Sequence, residues 1–196
     1  LLRHAEPGSD QAVRAQTVIE RQTEHLTRLV DDLLDVTRIA RGKIELRRSH
    51  VDLREGVSHA AGDYRVPRRD RGIRFDVDVP AEQLWADADP TRMTQLVGNL
   101  LHNAAKFTRR GDEVRLSLSQ VRGEAAVEIR VRDTGAGIDP TLLPRVFDAF
   151  VQGERTLART EGGLGLGLAL VKGIAELHGG TVEARSAGKG KGSEFI

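Results

Sequence analysis

Residues 99–108 read NLLHNAAKFT. Leu100, Leu101, Ala104, Ala105 and Phe107 would suit the buried side of an ordinary helix, yet Asn99, Asn103 and Lys106 recur through it at i, i+4 and i+7. That spacing puts all three on one helix face. A solvated face usually mixes Glu with Lys, whereas two Asn lower helix propensity without adding charge. The row needs a reason beyond helix formation. Upstream, Asp89 as N-cap and Pro90 at the first helical position give this helix a good start signal.

Working outward, GIRFDVDVP alternates Ile73, Phe75, Val77 and Val79 and predicts a half-buried strand closed by Pro80. VRLSLSQ and AVEIRVRD after the Asn-bearing helix predict two more strands, joined as a hairpin around VRGE. LGLALVKGIAELH predicts a helix, with a last strand from Thr181. KIELRR, residues 43–48, reads as a short strand or linker, and Asp52 as the cap of a helix reaching about Arg65. Helices and mostly antiparallel strands in segregated runs predict an α+β two-layer α/β sandwich. Before it, residues 11–41 contain neither Gly nor Pro, and Gln22, Leu26, Leu29, Leu33, Val36 and Ala40 follow 4-3-4-3-4 spacing, widened by Val30 and Ile39. This predicts an amphipathic helix of about 45 Å that needs partners for its stripe. The domain boundary is expected at Gly42, giving a helical unit over 1–42 and the sandwich over 43–196.

Composition narrows the class. With 39% hydrophobic residues the chain can build a core, 30% charged residues point to a soluble protein, and a net charge of +1 gives no reason to expect a nucleic-acid partner. Cys is absent, which excludes disulfides and thiolate chemistry. No apolar run approaches the about eighteen residues of a membrane span. The chain starts in mid-pattern at LLRH and stops at GSEFI, so it is expected to be part of something longer.

Two further motifs carry chemistry. DTGAGI, residues 133–138, follows a predicted strand, so Asp133 sits at a strand end where Gly135 and Gly137 allow a sharp turn or the approach of a flat ligand. Such a carboxylate can accept from an exocyclic amine like that of adenine, although a plain strand-to-loop turn explains the same residues. In EGGLGLGLALVK, Gly163, Gly165 and Gly167 alternate with Leu164 and Leu166 into an apolar helix. Glycine costs about 0.5–1 kcal/mol inside a helix, and a helix N-terminus with bare N–H groups can cradle phosphate. No Walker A lysine follows and no strand precedes, so two common phosphate loops are excluded. Between these motifs, the two Phe of RVFDAF read as core anchors, and VQGERTLART reads as a mobile lid. An Asn oxygen is a hard ligand for Mg²⁺, and Lys106 offers a point charge to phosphates.

Taken in order, these segments resemble the ATP-binding domain of sensor histidine kinases, whose Bergerat-type fold is shared with gyrase, Hsp90 and MutL-type ATPases. NLLHNAAKFT looks like the N box, DTGAGI the G1 box, RVFDAF the F box, GGLGLGLALVKGIAELHGG the G2 box, and GKGKGSEF the glycine segment before the last strand. The resemblance implies ATP and Mg²⁺ as cofactors. It places Mg²⁺ on Asn103, Asn99 and Lys106 near the phosphates, and Phe107 beside the adenine. Asp133 would accept from the adenine amine, with Gly135, Gly137, Ile138 and Ser193 around the base. Gly163, Leu164, Gly165, Leu166 and Gly167 would border the phosphates. His102 falls at a variable position and receives no role.

Residues 11–41 likewise resemble the second helix of the family's dimerisation and phosphotransfer hairpin, which implies a homodimer through a four-helix bundle. The acceptor histidine lies on the first helix of that hairpin and is followed by an acid. His4 lacks it, since Ala5 follows, and His25 reads as a bundle-face residue. His50, His59 and His178 have no acid directly after them. The acceptor is therefore expected upstream of Leu1, leaving no catalytic nucleophile within the chain. The function implied is the catalytic core of a protein-histidine kinase, relaying phosphoryl to the aspartate of a response-regulator receiver domain. The location implied is cytoplasmic, with any membrane anchor upstream of residue 1. The rival readings are another ATPase of the same fold and a nucleotide-sensing module without kinase activity.

Overall fold

The structure is a computed structural model, and it describes residues 9–68, 72–152 and 164–196. Helix α1 runs Asp10–Ala40, with the Ser9 side chain accepting from the Ala12 N–H. It ends as the sequence predicts at Gly42, whose φ is +61°. There Lys43 N–H donates to Arg38 O at 2.8 Å and Gly42 N–H to Ile39 O at 2.9 Å, the paired bonds of a Schellman cap.

The stripe of α1 divides between two environments. Val36 and Ile39 pack on the core of the sandwich and Asp35 is buried, whereas Leu26, Val30, Leu33 and Leu34 remain exposed. The position that docks most deeply is thus an aspartate outside the 4-3-4 pattern.

Beyond the cap, β1 (Ser49–Asp52) pairs antiparallel with β3 (Trp85–Ala88), setting Ser49 opposite Ala88. Residues 43–48, read from sequence as a short strand or linker, carry no strand, and β1 begins directly after them. Helix α2 (Leu53–Arg68) starts at Asp52, whose carboxylate accepts from the Arg54 N–H at 3.1 Å. The main sheet has β2 (Arg74–Asp78), β4 (Glu113–Gln120), β5 (Val127–Asp133), β6 (Ala184–Arg185) and β7 (Ser193–Phe195) in the order β2-β4-β5-β7-β6. The β2–β4 pair is parallel and the other pairs are antiparallel.

Helices α2, α3 (Pro90–Phe107) and α4 (Gly167–Leu177) cover one face of this sheet. Val97, Leu100, Leu101 and Ala104 of α3 meet Val114, Leu116 and Val131 of the strands, and Leu170, Val171 and Ile174 of α4 complete the core. Asp89 caps α3 through the Thr91 and Arg92 N–H groups, as the Asp-Pro start predicts. The other sheet face carries cross-strand ion pairs, such as Arg130–Glu194 at 3.1 Å across an antiparallel pair and Arg115–Asp76 at 3.7 Å across the parallel one, as suits an open face. Together the layers form the two-layer sandwich with a long helix ahead of it.

Candidate functional site

Helix α3 positions the site. Its row of Asn99, Asn103 and Lys106 is half-buried, while His102 is exposed. Asn99 lies against the head of α4, where a Cβ on Gly167 would come within 3.5 Å of its Oδ1. Its Nδ2 is buried and meets no hydrogen-bond acceptor among the described residues. Leaving such a donor unpaired costs about 1–3 kcal/mol, so an acceptor supplied at this point would stabilise the fold. At the other end of α3, Lys106 Nζ stands 5.4 Å from the centre of the Phe107 ring.

The end of α3 also holds the Asp-Gly turn. Ala136 N–H donates to Phe107 O at 3.0 Å, and a Cβ on Gly135 would come within 2.3 Å of that same oxygen. No side chain fits there, which explains Gly135. Gly137 has φ +67°, and a Cβ on it would meet Gly188 O at 2.1 Å. One helix therefore ties the strand-end turn to the glycine-led helix, two segments about thirty residues apart in sequence.

Asp133 closes β5 with only 3% of its surface exposed. Its Oδ1 accepts from the Gly135 N–H at 2.8 Å and its Oδ2 from the Ser193 hydroxyl. Burial raises its pKa above the usual carboxylate value, against the lowering effect of these hydrogen bonds. Ser193 is itself buried, on β7 directly opposite Asp133. Ile138 packs at the edge of the core, and its N–H donates to the Ser186 hydroxyl at 3.0 Å.

Leu164 is exposed, Leu166 is buried, and Gly165 turns with φ +74°. Phe150 N–H donates to Gly165 O at 3.1 Å. Gly163 and most of the expected lid, from Gly153 onward, lie outside the described residues. The F-box expectation needs correction. Phe147 does anchor the core, edge-on to Phe195 at 6.2 Å, but Phe150 is 61% exposed with φ +66°. Its backbone turns the chain toward Gly165, and that turn carries the ring out of the core.

Among the described residues, no group of three or more His, Cys, Asp or Glu could hold a metal ion. A metal here would share the Asn oxygens with phosphates and water, which suits Mg²⁺. The described residues likewise include no helix long and apolar enough to cross a membrane.

Sequence reasoning missed the residues behind this site. Arg92 and Gln95 lie on the same α3 face as Asn99, two turns and one turn before it, and bind Asp35 of α1 at 2.6 and 2.8 Å. The i−4 and i−7 spacing from Asn99 was the available signal. His178 accepts from the Asp89 N–H at 3.0 Å, so it serves the joint between α4 and the start of α3.

These features define a class: a two-layer nucleotide-binding domain with a helical extension packed on its helix layer. The chain belongs to the histidine kinase-, DNA gyrase B- and HSP90-like ATPase family, whose model matches residues 88–196. It is 37% identical over 180 residues to the histidine protein kinase DivJ of Caulobacter vibrioides, covering 92% of this chain and 30% of DivJ. It is 34% identical over 181 residues to hybrid signal transduction histidine kinase D of Dictyostelium discoideum, covering 91% of this chain and 12% of that protein. Among solved structures, full-length ShkA in complex with AMPPNP matches with a TM-score of 0.76 at 31% identity, covering 95% of this chain and 38% of that one. The chain thus spans less than a third of the length of either curated relative.

Proposed function

We propose that this chain is the ATP-binding catalytic core of a sensor histidine kinase. The observation that carries the reading is the buried Asn99 amide beside Gly167 at the head of α4, unpartnered among the described residues. A nucleotide phosphate oxygen is the acceptor it lacks, and the α4 N-terminus favours the same anion. Asp133 would accept from the adenine amine, with Gly135, Gly137, Ile138 and Ser193 shaping the base side and Phe107 beside it. Leu164 to Gly167 would border the phosphates, joined by Gly163. Asn103 would ligate Mg²⁺, and Lys106 would place a charge near the phosphates. Mg²⁺ supplies neutralisation of the charge that develops during phosphoryl transfer, and the protein contributes chiefly positioning.

The acceptor would be a histidine on the helical unit, from which the phosphoryl passes to a response-regulator aspartate. The exposed apolar stripe of α1 suits a four-helix bundle with a second copy. That ShkA was solved with AMPPNP, an ATP analogue, supports nucleotide binding by this chain.

The test has two arms. Titration with Mg-ATP should show binding that Asn103→Ala, which removes the oxygen ligand, makes insensitive to Mg²⁺. With γ-labelled ATP, a version extended by the preceding helix should acquire an acid-labile, alkali-stable label. Binding without any transfer would favour a nucleotide-sensing module, and no binding would overturn the reading altogether.

A further inference from the structure

Two loops meet behind the base side of the site, and a single hydroxyl joins them. Ser186 follows β6, outside every motif named above. Its Oγ accepts from the Ile138 N–H at 3.0 Å and from the Gly188 N–H at 3.3 Å, and donates to Gly192 O at 2.7 Å. A serine hydroxyl has one hydrogen to give and two lone pairs to receive with, so its capacity is filled.

Each partner leads to the base site. Ile138 ends the Asp-Gly turn. Gly192 O belongs to the peptide unit that leads into Ser193, whose hydroxyl donates to Asp133 Oδ2. Gly192 also presses on the turn itself: its N–H donates to Gly135 O at 3.2 Å, and a Cβ on it would meet Asp133 O at 2.1 Å. Gly190 N–H reaches Ala136 O at 2.6 Å, and Lys189 Nζ reaches Asp139 Oδ2 at 3.0 Å. Residues 186–192 therefore strap the turn from behind. Ser186, at one end of that strap, binds its other end at Gly192 and the turn at Ile138 at once.

We infer that Ser186 is a positioning residue for base recognition, setting Asp133 and Ile138 through Gly192 and Ser193 without touching the nucleotide. The inference rests on the nucleotide-binding reading of the site. Its consequence is a separation of roles, with the strap governing which base is accepted and α3 with α4 governing phosphate affinity.

The experiment compares Mg-ATP with Mg-ITP, whose base lacks the exocyclic amine, by calorimetric titration of the wild-type chain and Ser186→Ala. The wild type should prefer ATP. Ser186→Ala removes three hydrogen bonds around the base side, so the ATP affinity should fall about tenfold while the ITP affinity stays within about twofold. The preference for ATP then largely disappears. Equal weakening of both nucleotides would make Ser186 a structural serine only and overturn the inference, as would an unchanged preference. A wild-type chain that binds neither nucleotide would instead sink the nucleotide-binding reading, and one that binds both equally would sink the role given to Asp133.

Discussion

Asp133 shows how a buried carboxyl is kept at the expense of the fold. Burial is the largest influence on its pKa and raises it, while hydrogen bonds from the Ser193 hydroxyl and from the Gly135 and Ser193 backbone amides lower it less. A carboxyl whose folded pKa lies above its unfolded value is least costly to the fold below the unfolded value. It loses stability for the fold as pH rises through the folded pKa. The fold therefore disfavours the ionised form of this carboxyl. Asp133→Asn keeps an oxygen for the Gly135 N–H and removes that charge. We expect the variant to melt higher than wild type at pH 7, with the difference shrinking as pH is lowered toward about 4. ATP affinity should fall at least about tenfold, because a charged acceptor for the base is gone. A melting difference that is flat with pH would show that burial of this charge carries no stability cost.

At the scale of elements, Asp52 joins three of them. It ends β1, caps α2 through the Arg54 N–H, and accepts from the Leu84 N–H at 3.2 Å just before β3. The Arg54 side chain, at 2.7 Å through Nη2, is the main reason its pKa is lowered to about 2. The stabilisation is therefore present above the unfolded value of about 4 and is lost as pH falls to about 2. Asp52→Asn should lower the melting temperature at pH 7 and converge with wild type near pH 2; parallel curves would disprove the linkage. The sequence made the cap at Asp52 legible, as it did α3, β4 and β5, because each announces itself by a local pattern of capping or alternation. The β1–β3 pairing was not legible. Ser49 meets Ala88 across the whole of α2 and β2, and Trp-Ala-Asp-Ala has no alternating apolar face to announce it. In the site, the Asn row, Asp133 and the glycines could be read because their spacing is local. Ser186 could not, since it acquires its role only when distant segments fold against it. Phe150 misled because a positive φ at one residue decides where its ring goes, and the spacing of two Phe carries no such information.

For the molecule as a whole, the question is how firmly the long helix is joined to the ATP-binding layer. The joint has a polar and an apolar half. In the polar half, Asp35 holds Arg92 and Gln95, and Arg92 Nη1 also donates to Gln95 Oε1 at 2.7 Å. In the apolar half, Ile39 lies so close to α4 that a Cβ on Gly173 would meet its Cδ1 and Cγ2 at 2.8 Å. A mid-helix glycine costs about 1 kcal/mol against alanine, which close packing of α1 offsets. Burial pushes the Asp35 pKa up, but hydrogen bonds from Arg92 and Gln95 and the charges of Arg92 and Arg38 outweigh it, so the pKa is lowered overall. The joint is thus strongest above the unfolded carboxylate value and loosens as pH falls below it. Asp35→Ala should cost about 2 kcal/mol locally, the scale of a charge-assisted hydrogen-bond pair. Backbone amides of Val36 to Ala40 should then exchange with solvent about thirtyfold faster at pH 7, while those of Leu170 to Ile174 keep their protection and ATP affinity stays unchanged. Gly173→Ala should speed the same α1 amides by a purely steric route and leave the pH dependence intact. If α1 and α4 lose protection together in Asp35→Ala, the helix and the ATP-binding layer are one cooperative unit, and a joint that opens by itself is ruled out.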